Sequence, residues 1–328
     1  MKRSLVCGLI VLISTLALAI THIYMFISTP KIPASPTMVV IPQGCSVWEI
    51  SNKLFSKQII TDPYVFLVMT FTCGKAKGLK AGTYVFKDRH YPKEIMDILF
   101  NGMTMQYAVT IPEGSDIYDI AKILAGHDLC KREAFISLAK SPDTVDLFGL
   151  DAPSMEGFLY PDTYFFFVDM TPLEIMEKMI SRFHSIYTHK IAQKASAKGL
   201  SDLEAVTLAS LIEKEAVRSE ERPIISAVFH NRLKSSMRLQ SDPTVIYGIE
   251  GFHGKIRHKD ILHKSPYNTY LYGGLPPGPI CNPGKDSILA AVSPAETRYL
   301  YFVARGNGYH TFSNTLRAHN RAIKQAKH

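Results

Sequence analysis

The sequence predicts an α+β protein tethered by one N-terminal transmembrane helix. Three observations carry that class: an uncharged apolar stretch from Leu5 to Ile27, a strand-turn-helix phrase that occurs twice, and a helix-rich segment from residue 173 that returns to strands near residue 300. With 328 residues and 46% hydrophobic content, the chain can bury one large or two modest cores and is not disordered.

The N-terminal stretch follows Lys2 and Arg3, and no further charged residue occurs until Lys31. As a helix, Leu5 to Ile27 would extend about 34 Å, enough for a hydrocarbon core of about 30 Å. A cleavable signal peptide has some support in the small-x-small pattern of Ala17-Leu18-Ala19, but the apolar run continues past it to Ile27. A lipoprotein signal fits poorly, because Cys7 lies near the start and follows Val6. The expectation is an uncleaved anchor over 5–27 behind a cytoplasmic tail at 1–4, with residues 30–328 exported. The net charge of +8 is spread along the chain, which suits anionic lipid or wall polymer and not the concentrated basic stripe of a nucleic-acid binder. Cys45, Cys73, Cys130 and Cys281 show no CxxC spacing and define no zinc, redox or disulfide framework.

After a Pro-rich linker, STPKIPASPT (28–37), IPQGCSVWEISNKL (41–54) is echoed by IPEGSDIYDIAKIL (111–124). Ser46 with Glu49, and Asp116 with Asp119, stand at helix-start positions, so each copy reads as a strand end, a turn at Gly44 or Gly114, and a short amphipathic helix. The first copy runs on through DPYVFLVMTFT, a helix, into LKAGTYVF, a strand. A strand, two helices and a strand is the order of a small LysM-like module, expected over 38–108; a generic α+β subdomain has the same pattern. Downstream, PLEIMEKMISRFHSIYTHK, DLEAVTLASLIEKEAV and ERPIISAVFHNRLKSS read as helices, and YLYFVA and YHTFS as strands joined by RGNG. The loop SPYNTYLYGGLPPGPICNPG (265–284) is long, and its tyrosines argue for function over disorder.

Several catalytic classes lack their motifs. HExxH and Gly-x-Ser-x-Gly are absent, and His253, His258 and His263 recur every five residues, which puts no metal-binding set on one helix face. Ser-x-x-Lys at Ser28 and Ser137 has no Lys-Thr-Gly or Ser-Asp-Asn companion. That leaves the carboxylates of LASLIEKEA (208–216). Leu208, Leu211, Ile212 and Glu215 share a helical face, and Glu213 stands well around the wheel from Glu215. A carboxyl held among those side chains loses hydration, its pKa rises, and it suits general acid catalysis. From the pattern alone an ordinary helical glutamate paired with Arg218 is the favoured reading, since Val206 and Val217 lie close to Glu213 on the wheel and blur the contrast.

LASLIEKEA, with ERPIISAVFHNRL, MRLQSDPTVIYG, NTYLYGGLPPGPICNPG, YLYFVARGNGYHTFSNTLRAHN and the upstream SMEGFLYPDTYFF and IPEG, closely resembles the YceG-like family of endolytic murein transglycosylases, from the anchor to the C-terminus. The resemblance implies a single-pass inner-membrane protein with a cytoplasmic N-terminus, a LysM-like subdomain and a mixed α+β catalytic domain over 109–328. It implies cleavage of peptidoglycan strands between N-acetylmuramic acid and N-acetylglucosamine, leaving 1,6-anhydromuramic ends, with no metal or cofactor. The second glutamate of the family's Glu-Lys-Glu motif falls on Glu215. A Thr or Ser often follows it; here Ala216 does, so no hydroxyl is expected from that neighbour. Association with peptidoglycan synthases or divisome proteins is a family-level expectation, and nucleic acid is not a partner.

The expected sugar contacts are Tyr267, Asn268 and Tyr270 in the long loop, where aromatics and an amide are braced by proline. Gln240, Asp242 and Tyr247 could bond hydroxyls or stack on a ring, although Asp242-Pro243 also reads as a turn and Tyr247 as core. Glu156 is either structural or part of the groove, as is Asp162, and Asn282 reads as a turn former. Two other classes remain: a muramidase-type hydrolase with a second carboxylate, and a non-catalytic peptidoglycan-binding or cell-division anchor.

Overall fold

In a computed structural model describing residues 2–326 except 34, 105, 168–169, 250 and 253, with side chains from residue 7 onward, the chain divides into two units. Unit 1 is Met1–Tyr107 with Phe165–Asp169, and unit 2 is Ala108–Tyr164 with Met170–His328. The class is mixed α+β, as expected.

Unit 1 opens with α1 (Lys2–Ser28), whose few hydroxyls bond back along the helix, Thr15 to Leu12 O, Thr21 to Ala17 O and Ser28 to Tyr24 O. Among the described residues it alone is long and apolar enough to cross a membrane. Then come β1 (Thr37–Ile41), α2 (Val47–Ser56), α3 (Pro63–Thr72), β2 (Gly82–Phe86) and α4 (Pro92–Asn101), the expected strand, helix, helix and strand followed by a further helix. β1 and β2 are antiparallel, Thr37 opposite Phe86 and Ile41 opposite Gly82. Leu54, Phe66, Tyr84, Phe86 and Leu99 fill the core beneath them.

β3 (Gln106–Thr110) leads into unit 2. There Ile111 N donates to Asp162 O, and the Thr110 and Thr163 hydroxyls meet at 2.8 Å, tying the end of β3 to the start of the later strand. The repeated phrase folds the same way twice. Gly44 and Gly114 take φ of 80° and 77°, left-handed values that glycine adopts without strain. Ser46 then caps α2 through Glu49 N, and Asp116 caps α5 (Ile117–Gly126) through Asp119 N, each as a capping box.

Next follow α6 (Arg132–Ala139), α7 (Pro142–Leu147), β4 (Thr163–Phe167), α8 (Pro172–Ile186), α9 (His189–Ala197) and α10 (Asp202–Glu215). Beyond α10 lie α11 (Arg222–Lys234), α12 (Asp242–Tyr247), α13 (His258–Ile261), α14 (Lys285–Val292), the antiparallel pair β5 (Tyr301–Ala304) and β6 (His310–Ser313), and α15 (Leu316–Ala326). α10 is the centre of unit 2, packed by α9, α11 and α14, and every residue from Ala205 to Ile212 is buried. Such a helix is buried all round, Thr207 and Ser210 included, and does not present a single stripe. Gly157 closes this packing: at φ 90° a Cβ there would stand 2.4 Å from Pro279 Cγ and 2.9 Å from Val206 Cγ1.

Candidate active site

α10 ends abruptly at its last glutamate. Ala216 is already extended, at φ −85° and ψ 115°, so Glu215 is the last residue of a core helix and remains half-buried. Burial raises its pKa above the ordinary carboxylate value, and the nearby Asp242 charge adds to the rise. Opposing this, the Ser241 hydroxyl donates to Glu215 Oε1 at 2.6 Å, and His310 and Arg232 exert weaker pulls. Among the described residues Glu215 has no ion-pair partner, so Arg218 does not neutralise it; the Arg218 guanidinium lies over the Tyr309 ring instead.

Ser241 is itself held tightly. Its N–H donates to Thr269 Oγ1 at 3.0 Å, its carbonyl accepts from Thr244 Oγ1 at 2.6 Å, and the two threonine hydroxyls meet at 2.9 Å. The buried Arg232 fixes the approach to it, donating to Leu239 O at 2.8 Å and to Leu300 O at 2.6 Å. A hydroxyl thus reaches the acid from 26 residues downstream, where the sequence offered only Ala216 beside it.

Glu213 differs in what it touches. Its carboxylate accepts from Arg222 Nη2 at 3.1 Å and from Gly284 N at 2.9 Å, with both side chains of the ion pair largely buried. It is a structural acid that fastens the 284 turn to α10.

The expected sugar contacts sort into three groups. Gln240 is exposed and left-handed at φ 49°, and Asp242, also exposed, accepts from Tyr270 OH at 2.6 Å, so these three surround Ser241. Asp242-Pro243, which the sequence left open as a turn, begins the short helix α12, because Pro is compatible with a first helical turn. Tyr247, at the other end of α12, packs its ring 4.8 Å from that of Tyr267. Both line a cavity of about 1000 Å³ together with Tyr118, Lys122, Arg132 and Asp116. Neither Glu215 nor Ser241 is in that lining, which meets α12 at Ile246 and Tyr247, the end away from Ser241.

The third group is corrected. Asn268 is 1% exposed; its Nδ2 donates to Ile261 O and His263 O at 2.8 Å each, and its Oδ1 accepts from Tyr270 N. It braces the loop from within and presents nothing to a sugar. Glu156 is equally closed, accepting from Ile117 N, Tyr247 OH and Asn282 Nδ2 at 3.1, 3.1 and 2.9 Å. Burial pushes it up to about 8, against the pull of the Ile117 and Tyr247 bonds. Asn282 is a buried four-way brace and no mere turn former: Oδ1 accepts from Gly157 N and Leu159 N, while Nδ2 also donates to Ser115 O. Asp162 is structural as well, paired with Arg182 at 2.7 Å. His258 begins α13 and His263 lies beyond its end; His253 lies outside the described residues.

The profile of the YceG-like family matches residues 39–325. The chain belongs to the YceG-like family. A Bacillus subtilis protein named endolytic murein transglycosylase is 37% identical over 86% of this chain and 82% of its own length. A Streptococcus pneumoniae protein of the same name is 29% identical over 88% of the chain, but the match spans only 58% of that relative. The crystal structure of a yceG-like protein from Listeria monocytogenes superposes with a TM-score of 0.61 at 32% identity, covering 88% of this chain and 98% of that one. These relatives give the YceG-like chain its fold and family; the role of each side chain rests on the geometry above.

Proposed function

We propose that this YceG-like protein is a membrane-anchored endolytic murein transglycosylase whose single catalytic acid is Glu215. The observation that carries the reading is a carboxyl at the end of a core helix, its pKa raised by burial, held by one hydroxyl and, among the described residues, by no cation. The names of the relatives support the substrate class.

In this mechanism protonated Glu215 donates to the glycosidic oxygen as the bond from muramic C1 breaks. The carboxylate then takes the proton of the muramic C6 hydroxyl, whose oxygen bonds to C1 and closes the anhydro ring. One carboxyl suffices, where ordinary glycosidases use two. Ser241 orients the acid and accommodates both its protonation states, since a hydroxyl can donate or accept. Gln240, Asp242 and Tyr270 flank the reacting sugar, and the Tyr247-Tyr267 pair contacts a more distant part of the strand. Residues 5–27 anchor the chain, the strand-helix-helix-strand order of 38–108 supports a LysM-like glycan-binding role, and 109–328 carry catalysis.

The test is mass spectrometry of fragments released from purified peptidoglycan by the wild type and by Glu215→Gln. Anhydro-ended products, absent with the variant, are expected. Reducing ends would transfer the reaction to hydrolysis, with Asp242, the carboxylate whose charge bears on Glu215, as the second acid.

A further inference from the structure

α3 is apolar along its whole length, PYVFLVMTFT, yet only one side of it is covered. Phe66, Met69 and Thr70 enter the unit 1 core, whereas Tyr64, Val68 and Phe71, at i, i+4 and i+7, face outward with 66%, 58% and 63% exposure. A helix apolar all round belongs in a protein core or in lipid, and one of ten residues, about 15 Å, is too short to cross a bilayer. Trp48 of α2 extends the same surface, its ring 5.0 Å from that of Tyr64.

The depth of this surface is set by α1, which belongs to the same unit. Phe26 is buried in the unit 1 core, and His22 Nε2 stands 2.9 Å from Oδ2 of Asp62, the residue that caps α3. Both anchor residues lie within the candidate span Cys7–Ser28. A histidine-carboxylate pair is costly in hydrocarbon and tolerated among headgroups, so the start of α3 belongs at the interfacial level of the membrane that α1 enters. Trp and Tyr favour that level, and Lys77, exposed just past α3, can meet anionic headgroups there.

We propose that the outward face of α3, with Trp48, is a lipid-contacting surface that lies in the interfacial layer beside the anchor and holds unit 1 against the membrane. The proposal rests on reading α1 as a membrane anchor. Trp48 is the chain's one tryptophan, so its fluorescence reports on this face alone. The full chain would be reconstituted in phosphatidylcholine-phosphatidylglycerol vesicles and exposed to lipid-borne nitroxide quenchers and, separately, to aqueous acrylamide. Loss of emission with the lipid quenchers and protection from acrylamide are expected. A Tyr64→Ser, Val68→Ser, Phe71→Ser variant, altered only at exposed positions, should reverse both while staying with the vesicles through an alkaline wash. Quenching of the wild type by acrylamide and not by lipid would overturn the proposal, as would unchanged lipid quenching in the variant. Loss of the wild-type chain in the wash would instead overturn the anchor.

Discussion

Glu156 and Glu215 are both pushed above the usual carboxylate range by burial, but their surroundings leave them very different freedom. Three donors converge on Glu156, which is 1% exposed and linked through Asn282 to Ser115, Gly157 and Leu159. Glu215 meets one hydroxyl at the rim of the same core. Burial alone therefore does not mark a catalytic carboxyl. What distinguishes the two is open hydrogen-bonding capacity on a half-exposed group, which is what the role proposed for Glu215 requires.

The largest effect expected from breaking this contrast is at Glu215. Glu215→Gln keeps the shape and the Ser241 contact but cannot transfer a proton, so turnover should fall on the order of 10²–10⁴-fold with the melting temperature nearly unchanged. Glycan release and thermal unfolding measured on one preparation check both parts. An equal loss with Glu156→Gln in a fully folded protein would erase the distinction.

Glu213→Gln should fail differently. Among the described residues it leaves the Arg222 guanidinium, 12% exposed, with the Ser287 hydroxyl at 3.0 Å and a single carboxylate, Glu113 at 3.9 Å, and should cost about 3 kcal/mol of stability while the folded fraction retains its activity. Urea denaturation alongside activity per folded molecule separates the two readouts.

Next comes the pH dependence of stability. Because Glu156 has a raised pKa in the folded chain, the native state holds a proton that the unfolded chain releases between about 4.5 and 8. Its contribution to stability is present in full below that window and declines as pH rises through it, by a few kcal/mol at most. Denaturation curves at pH 5 and pH 8 should thus differ less for Glu156→Gln than for the wild type.

How much of this was legible depends on the range of the forces involved. Capping boxes act over three residues, so both helices of the repeated phrase could be read from Ser46, Glu49, Asp116 and Asp119. α10 was found for an incomplete reason: its burial is continuous from Ala205 to Ile212, so the Leu208 stripe does not select Glu215, and the helix end does. Ser241 stood unread between Gln240 and Asp242, because nothing local signals a hydroxyl aimed at a helix 26 residues away. Asn268 and Glu156 have residue types that serve equally as ligands or braces, and only the carbonyls and N–H groups folded around them decide which.

The smallest effect is the most discriminating. Ser241→Ala removes a donor that favours the ionised form of Glu215, so the carboxyl should titrate higher still and the basic limb of the activity-pH profile should move to higher pH. The acid would also lose its orientation, lowering the rate about tenfold, the equivalent of about 1.4 kcal/mol. A purely structural Ser241 would lower activity at every pH without moving the limb. Thr244→Val, one step further out, removes the hydroxyl that holds the Ser241 carbonyl and should reproduce a weaker rate loss with the limb in place. If instead Thr244→Val moved the limb as far as Ser241→Ala does, the pKa of the acid would depend on the whole Ser241-Thr244-Thr269 cluster and not on the single bond.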